Sequence, residues 1–193
     1  MINRGLGRAV DIVQLFIAQT LPSGGVAIDA TAGNGYDTLF LAKQVGPAGR
    51  VYAFDIQECA ITATKQLLID HVAENQVTLL QKGHEELGLL IQEDIDAVIF
   101  NLGYLPGGDH RLITKPDTTI AALKTAVKLL RRGGRIGLTV YTGHPGASEE
   151  LAALEEYTKE LAPAEFNVTK TTYLNRSLRA PVIIFVEKAS LCE

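Results

Sequence analysis

The sequence predicts an α/β fold, in which a mostly parallel sheet of seven strands is covered by helices on both faces. Short apolar runs and segments of helical periodicity alternate along almost all of the 193 residues. At the C-terminus, two strand-like segments are joined by a loop too short for a parallel crossover, so they should form an antiparallel hairpin. Ligands of such sheets bind beyond the carboxyl ends of the parallel strands, and functional residues are therefore expected there.

Each predicted element of the first half has its own local signal. Residues 6–19 repeat apolar side chains at helical spacing and predict an N-terminal helix. The predicted strands are short apolar runs, namely GVAIDA at 25–30, RVYAFDI at 50–56 and QVTLLQ at 76–81. The predicted helices cover 36–44, which the GPAG turn at 46–49 ends, about 58–70, and the short stretch HEELGLLI at 84–91.

The second half begins with a fourth strand, DAVIF at 96–100. The next helix starts at Pro116, because proline favours the first helical turn, and RRGG at 131–134 ends it. Ser148, followed by two glutamates, predicts the capped start of a helix that runs through Leu161. The remaining predicted strands are RIGLTVY at 135–141, EFNVTKTTYL at 165–174 and PVIIFVEK at 181–188.

Composition restricts the class of protein. We expect residues 1–193 to form a single domain without a membrane span, because the longest apolar runs are too short for one. Cys59 and Cys192 match no redox spacing and no His/Cys/Asp cluster has metal-ligand spacing, so a cytoplasmic protein without a metal is expected. The net charge of −4 gives no general attraction to nucleic acid, and an RNA partner would have to meet a local basic patch.

A glycine-containing loop, DATAGNGYDT, follows the first predicted strand. A dinucleotide fingerprint would place three glycines at a strand end, whereas here Asp29 comes first and is followed by Gly33 and Gly35. The glycines permit a tight turn and let a ligand approach the backbone closely. Asp29 would repel a pyrophosphate, but it could pair with an ammonium group.

Two further features lie at the ends of the next strands. Asp55 ends the second strand, where a carboxylate can accept both hydroxyls of a ribose, and Gly83 with His84 is placed to border an adenine. A ribose, an adenine and an amino-acid group without a phosphate clamp describe S-adenosylmethionine better than NAD. The predicted cofactor-binding residues are Asp29, Ala30, Thr31, Gly33, Asn34, Gly35, Asp37, Thr38, Asp55, Ile56, Gln57, Gly83, His84 and Asn101.

The stretch NLGYLPGG follows the fourth strand, beside the expected position of the sulfonium methyl. Asn101-Leu102-Gly103-Tyr104 resembles the Asn/Asp-Pro-Pro-Tyr/Phe motif of amino-methylating enzymes, with Leu-Gly in place of Pro-Pro. The Asn101 side-chain oxygen and the Leu102 carbonyl can accept the N–H hydrogens of a neutral amine and direct its lone pair. Tyr104 can stack on a planar ring. The structural alternative is an asparagine turn cap followed by an aromatic core residue.

Other candidates surround this corner. YTGHPG follows the fifth strand, so that Tyr141 and His144 could line a substrate pocket, with His144 as a proton acceptor or as a loop histidine without a role. Lys115, Asn175 and Arg176 are further candidates, and the loop at 175–181 could join Arg111 and Lys170 in a basic rim for RNA phosphates. A scattered, solvated surface is the alternative. Arg131, Arg132 and Arg135 should lie at the opposite edge of the sheet.

DATAGNGYDT, FNLGYLPGGD and YTGHPG together resemble the YtqB/MnmM-like family of S-adenosylmethionine-dependent tRNA methyltransferases, formerly labelled rRNA methylases. The resemblance covers essentially the whole chain. It implies a Rossmann-like class I methyltransferase that acts on the anticodon stem-loop of tRNA and forms a homodimer. The implied substrate is the primary amine of 5-aminomethyl-(2-thio)uridine at wobble position 34, and the product is its 5-methylaminomethyl form. It also implies substrate-binding roles for Asn175 and Arg176. In the Asn101-Leu102-Gly103-Tyr104 motif, here called the acceptor corner, Gly103 and Tyr104 are further substrate-binding candidates.

Three other functions remain open from the residues. An NAD-linked oxidoreductase is disfavoured by Asp29 and the terminal hairpin. A binding module without activity is disfavoured by the intact Asn-Leu-Gly-Tyr sequence. Within the methyltransferases, the acceptor could instead be a base amine of rRNA or a small-molecule amine.

Overall fold

The computed structural model describes residues 6–109, 111–177 and 179–190; Cys192 lies outside them. The helices are α1 (Ala9–Ala18), α2 (Tyr36–Val45), α3 (Glu58–Asp70), α4 (Leu87–Leu90), α5 (Pro116–Leu129) and α6 (Ala147–Lys159), and a 3-10 turn, His84–Glu86, precedes α4. The strands are β1 (Val26–Asp29), β2 (Arg50–Phe54), β3 (Val77–Leu80), β4 (Ile95–Leu102), β5 (Leu130–Val140), β6 (Phe166–Thr171) and β7 (Val182–Lys188).

The seven strands form one sheet in the order β3-β2-β1-β4-β5-β7-β6. The strands from β1 to β5 pair in parallel, whereas β7 runs antiparallel to both β5 and β6. The predicted fold class, including the C-terminal antiparallel pair, is therefore confirmed. The chain proceeds outward from β1 to β3 and then returns to the other side of β1 with β4, so the topological switch point lies between β1 and β4.

Two hydrophobic clusters cover the two faces of the sheet. One cluster contains buried side chains of α1, α2 and α3, and the other contains buried side chains of α4, α5 and α6. Gly137 of β5 lets α1 approach the sheet closely, since an added Cβ would lie 2.5 Å from Val13 of α1. Arg135 fixes the other end of α1 by donating to the Phe16 carbonyl at 2.7 Å. Among the described residues, no helix is long and apolar enough to span a membrane.

Most elements begin and end within a few residues of the predicted bounds, and three of the differences have a clear structural reason. Helix α6 begins after Gly146, whose φ is 84°, and Ser148 lies inside the first turn with its hydroxyl on Glu149, so the predicted serine cap was wrong. Strand β5 begins at Leu130, with the RRGG segment accommodated by a register shift opposite β4. Strand β6 ends at Thr171, because its pairing with β7 ends there, which assigns residues 172–174 to the connecting loop.

Candidate functional site

A cavity of about 570 Å³ opens at the carboxyl ends of β1, β2 and β4. Its volume is within the range of small-molecule sites in proteins. The predicted cofactor-binding residues that line it are Ala30, Thr31, Gly33, Asn34, Asp37, Asp55, Ile56, Gln57, Gly83, His84 and Asn101. Among the described residues, Asp29, Gly35 and Thr38 are outside the lining. Most of the residues predicted from local sequence therefore line one cavity, and the other three lie outside its lining.

Gly33 and Gly35 shape the loop that follows β1. Both have positive φ angles, 54° and 83°, which glycine adopts without strain. A Cβ on Gly35 would lie 2.9 Å from the Cα of Thr64, so the loop packs directly on α3. The Thr64 hydroxyl also donates to the Gly33 carbonyl at 3.2 Å. Gly35 therefore holds the loop against α3, while Gly33 remains at the cavity surface.

Asp55 lies directly after β2, between the glycine loop and the start of α3. Its Oδ2 accepts the Gly33 N–H and its Oδ1 accepts the Gln57 N–H, each at 2.9 Å. These two bonds fix the carboxylate at the wall of the cavity. Each carboxylate oxygen can accept more than one hydrogen bond, so both can also accept hydroxyl groups of a ligand.

His84 forms the far wall of the cavity and is mostly buried. Its Nδ1 lies 3.2 Å from the Ala30 carbonyl, and its Nε2 lies 3.5 Å from the Thr119 hydroxyl. Burial lowers the pKa of His84, which keeps the imidazole neutral near pH 7. A neutral imidazole whose two ring nitrogens both have hydrogen-bond partners is a suitable neighbour for an uncharged heterocycle such as adenine.

Asp29 is fully buried and lies beneath the loop rather than in the cavity lining. Its Oδ1 accepts the Thr31 N–H at 3.1 Å, and its Oδ2 accepts the Thr38 hydroxyl at 2.6 Å. The geometry does not support the expected direct pairing of Asp29 with an ammonium group. Burial first, and the charge of Asp37 second, raise the pKa of Asp29 to about 7.

The raised pKa of Asp29 leads to a prediction about stability. A carboxyl whose folded-state pKa is above its unfolded value contributes stability that is fully present below about pH 4 and lost as the pH rises toward about 7. We expect the unfolding free energy of the wild type, relative to that of Asp29→Asn, to fall by on the order of 2–4 kcal/mol over this range. Urea unfolding at a series of pH values measures the difference. The exposed Asp94→Asn is the control, and parallel curves for wild type and Asp29→Asn would contradict the assignment.

Asn101, near the end of β4, lines the cavity. Its backbone N–H donates to the Thr31 hydroxyl at 2.7 Å, and its side-chain Nδ2 donates to Asp37 Oδ2 at 2.6 Å. Its Oδ1 is buried and has no hydrogen-bond partner among the described residues. A buried acceptor without a donor is costly, so this oxygen is suited to receive an N–H or O–H from a ligand.

The loop after β4 brings Gly103 and Tyr104 to the cavity and His144 close behind them. Gly103 and Tyr104 line the cavity, and the Tyr104 ring is 6.2 Å from the His144 ring in an edge-to-face arrangement. His144 Nδ1 lies 2.9 Å from the Pro145 carbonyl, which favours the tautomer with a free Nε2 lone pair. Within the part of the chain that the structure describes, His144 Nε2 is buried and has no hydrogen-bond partner.

Leu102 is placed differently from the expectation. Its side chain is fully buried, and its carbonyl accepts the Tyr141 N–H at 3.0 Å. The expected contact between this carbonyl and an amine is therefore not supported, because parallel pairing of β4 with β5 directs it to the neighbouring strand. Tyr141 itself lines the cavity. Burial, followed by the charge of Asp37, raises the pKa of Tyr141, so its hydroxyl stays protonated.

The outer substrate candidates divide into two groups. Lys115 lines the cavity, whereas Asn175 and Arg176 are exposed in the loop between β6 and β7. Arg176 donates to the Gly7 carbonyl at 3.0 Å and stacks on Tyr173 at 3.9 Å. The β6–β7 loop thus contacts the segment before α1. Arg8, at the end of that segment, and Val10 of α1 also line the cavity.

A buried carboxylate, Glu150 of α6, holds the base of the loop after β4. Glu150 is fully buried and accepts the hydroxyls of Thr114 and Thr119 at 2.8 and 2.7 Å. The Thr114 N–H donates in turn to the Gly103 carbonyl at 3.0 Å. The sequence placed Glu150 only in the first turn of its helix and gave no indication of this role. The reason is that Thr114 lies 36 positions away and meets Glu150 only in the folded chain.

Gln14 is a second residue that the sequence analysis missed. It projects from α1 and donates from Nε2 to Asp37 Oδ1 at 2.7 Å. A signal was present, since Gln14 lies between Val10 and Ile17 at helical spacing on an otherwise apolar face. No group of three or more His, Cys, Asp or Glu side chains that could hold a metal ion occurs within the described residues.

Comparison with known proteins finds similarity along most of the chain. The family model described as "Putative rRNA methylase" matches residues 51–187. A protein of Arabidopsis thaliana, "tRNA (mnm(5)s(2)U34)-methyltransferase, chloroplastic", is 41% identical over 194 residues, which cover 95% of this chain and 70% of that protein.

Two solved structures share the fold at comparable identity. One is a "putative rRNA-methylase" of Clostridium thermocellum, with a TM-score of 0.92 and 38% identity, covering 95% of this chain and 99% of that chain. The other is a "putative methyltransferase" of Streptococcus mutans in complex with SAH, with a TM-score of 0.85 and 36% identity, again covering 95% and 99%.

Proposed function

The chain belongs to the family described as "Putative rRNA methylase", and we propose that it is an S-adenosylmethionine-dependent tRNA methyltransferase. Its proposed substrate is the primary amine of 5-aminomethyl-(2-thio)uridine at wobble position 34, and its product is 5-methylaminomethyl-(2-thio)uridine. The structural observation on which this rests is the unpaired, buried Oδ1 of Asn101, an acceptor suited to an amine. The 41% identical tRNA methyltransferase supports the choice of RNA.

The donor set of the cavity fits S-adenosylmethionine. Asp55 offers two fixed carboxylate oxygens to a ribose, Gly33 allows close approach to the backbone, and neutral His84 borders an adenine. When bound, S-adenosylmethionine supplies a methyl group on a sulfonium sulfur, and the C–S bonding electrons leave with sulfur as the C–N bond forms. The loop after β1 has Asp29 and two glycines in place of the three-glycine fingerprint of a pyrophosphate site, which disfavours NAD.

Asn101 is the proposed positioning group for the amine. Its Oδ1 accepts an N–H of the neutral amine, which directs the nitrogen lone pair and stabilises the positive charge that develops on nitrogen. An aliphatic amine is mostly protonated at neutral pH and has to lose a proton first. His144 is the proposed proton acceptor, because its Nε2 lone pair is buried near Gly103.

Two tyrosines are proposed to hold the uracil ring. Tyr104 and Tyr141 are 42% and 40% exposed, and both line the cavity. Unstacked bases of single-stranded RNA loops commonly bind on aromatic side chains of this kind. Lys115 also lines the cavity, and its ammonium group is suited to a phosphate or a uracil carbonyl.

Arg176 and Asn175 are proposed to contact the tRNA backbone. We expect Arg176→Ala to weaken tRNA binding several-fold at low salt and less at high salt. The reason is that a contact between a cation and a phosphate releases counterions from the RNA, and this contribution falls as the salt concentration rises. Filter binding over a salt series measures it. Arg132→Ala, at the opposite edge of the sheet, is the matched control and should leave binding unchanged. An equal loss at every salt concentration would instead assign Arg176 to its Gly7 and Tyr173 contacts.

We also propose a cytoplasmic location and a homodimer. The location is supported by a tRNA substrate and by the small number of cysteines in the sequence. The dimer rests on resemblance to the family, and light scattering distinguishes one chain from two.

The deciding experiment is nucleoside mass analysis of RNA treated with the protein and methyl-labelled S-adenosylmethionine. The substrate is total RNA from cells in which modification of the wobble uridine ends at 5-aminomethyl-(2-thio)uridine. We expect the label in 5-methylaminomethyl-(2-thio)uridine of tRNA. Label in an rRNA base would overturn the proposed substrate, and label in neither RNA would point to a small-molecule amine.

A further inference from the structure

We propose that Asp37 is a positioning residue that holds the Asn101 side chain with its amide oxygen, rather than its nitrogen, available to the acceptor amine. The inference rests on the proposed function, since it concerns how that amine is recognised. Asp37 was expected only as a cofactor-binding residue of the glycine loop. Its contacts point instead toward the acceptor corner.

The Asp37 carboxylate lies between two amide side chains from different elements. It belongs to the first turn of α2 and is only 7% exposed. Its Oδ2 accepts the Asn101 Nδ2 of β4 at 2.6 Å, and its Oδ1 accepts the Gln14 Nε2 of α1 at 2.7 Å. The pKa of Asp37 is raised, because burial outweighs the opposite effect of the hydrogen bonds from Gln14 and Asn101.

Both oxygens of Asp37 accept a hydrogen bond from a side-chain NH₂ group, Oδ2 from Asn101 and Oδ1 from Gln14, and this fixes the orientation of Asn101. The two ends of a side-chain amide have nearly the same shape, so packing alone does not select one orientation. With its NH₂ group on Asp37, Asn101 must turn Oδ1 the other way, where it is buried without a partner among the described residues. A reversed amide would present N–H groups, which could bond only to the lone pair of the amine and would direct that lone pair away from the methyl group.

The second contact keeps Asp37 itself in place. Gln14 anchors the oxygen that does not face Asn101, and α1 is fixed to the sheet by Arg135. The N-terminal helix thereby supports the orientation of a group at the end of β4. This gives a physical reason for a glutamine on the buried side of α1, where an apolar residue would otherwise be expected.

The test first replaces the Asp37 carboxylate by an amide and then exchanges the carboxylate and the amide between positions 37 and 101. In Asp37→Asn the new amide can donate to Asn101, so the reversed orientation becomes favourable. We expect kcat on tRNA to fall by about 100-fold, with SAH affinity by calorimetry within about threefold of the wild type. In the double variant Asp37→Asn/Asn101→Asp, the new amide donates to the new carboxylate, whose other oxygen faces the amine. We expect at least about tenfold recovery of kcat over Asp37→Asn.

A readout that does not use the substrate accompanies the kinetics. The side-chain NH₂ signals of Asn101 in ¹⁵N NMR spectra, assigned by their absence in Asn101→Ala, should move on Asp37→Asn. Unchanged signals, unchanged kcat, or a double variant no more active than Asp37→Asn would each overturn the proposal. Loss of SAH affinity with kcat preserved would assign Asp37 to the cofactor instead. A wild type inactive on tRNA contradicts the proposed function, while the NMR result still decides the orientation.

Discussion

In Asn101→Ala, we expect kcat for methyl transfer to fall by at least about 100-fold, while the affinity for SAH stays within about threefold of the wild type. The substitution removes the only side-chain oxygen proposed to accept an N–H of the amine. It leaves the backbone N–H of residue 101 on Thr31 and leaves Asp55 untouched. Single-turnover kinetics with labelled cofactor, together with calorimetry, separate the chemical step from binding.

Thr139→Val is the matched control for this variant. Thr139 pairs with Asn101 across β4 and β5, is equally close to the end of the sheet, and is fully buried. Its hydroxyl has no hydrogen-bond partner among the described residues, so an isosteric valine changes little. If Asn101→Ala retained wild-type turnover, the amine would have to be held by another group, and the proposed role of Asn101 would be wrong.

The position of the site could be predicted from local sequence because strand ends are local features. Apolar runs set the limits of β1, β2 and β4, and the parallel sheet brings their carboxyl ends to one edge. Asp55 and Asn101 follow or end such runs, so their place in the cavity required only the fold class. The choice of S-adenosylmethionine over NAD followed from the same segments and agrees with the family of the chain.

The hydrogen bonds behind the cavity could not be predicted in this way. Whether Asp29 faces a ligand or the loop depends on where Thr38 of α2 lies, and the structure places that hydroxyl 2.6 Å from it. The contacts of Glu150 with Thr114 and of Gln14 with Asp37 join residues 36 and 23 positions apart. Such pairs arise from helix packing on the two faces of the sheet, which no local pattern specifies.

The same reasoning explains the errors at element boundaries. Ser148 and the two glutamates after it have the composition of a helix start, yet Gly146 adopts the left-handed conformation that begins α6. The RRGG segment has the composition of a turn, yet it lies within β5 as an irregularity, because Leu130 and Arg135 on either side of it pair with β4. At β5 strand pairing outweighs local preference, whereas at α6 a glycine conformation determines the start, and neither boundary lines the cavity.

For Asp55→Ala we expect loss of at least about 100-fold in SAH affinity, because two charge-assisted hydrogen bonds, at ~1.5–3 kcal/mol each, are removed from the ribose. The substitution also frees the N–H groups of Gly33 and Gln57, so a moderate loss of thermal stability should accompany it. Calorimetry at a temperature well below the unfolding midpoint separates the two effects. Glu58→Ala, an exposed acid at the start of α3, is the matched control and should bind SAH normally.

The two large predictions are complementary, since one variant should lose turnover and the other should lose cofactor. Asp55 lies at the end of β2 and Asn101 near the end of β4, so β1 separates them across the cavity. If Asp55→Ala bound SAH with wild-type affinity, Asp55 would serve only to tie Gly33 to the start of α3, and the ribose would have to lie elsewhere. If both variants lost SAH affinity equally, the cavity would be a single binding unit, and the division between cofactor and acceptor ends would be wrong.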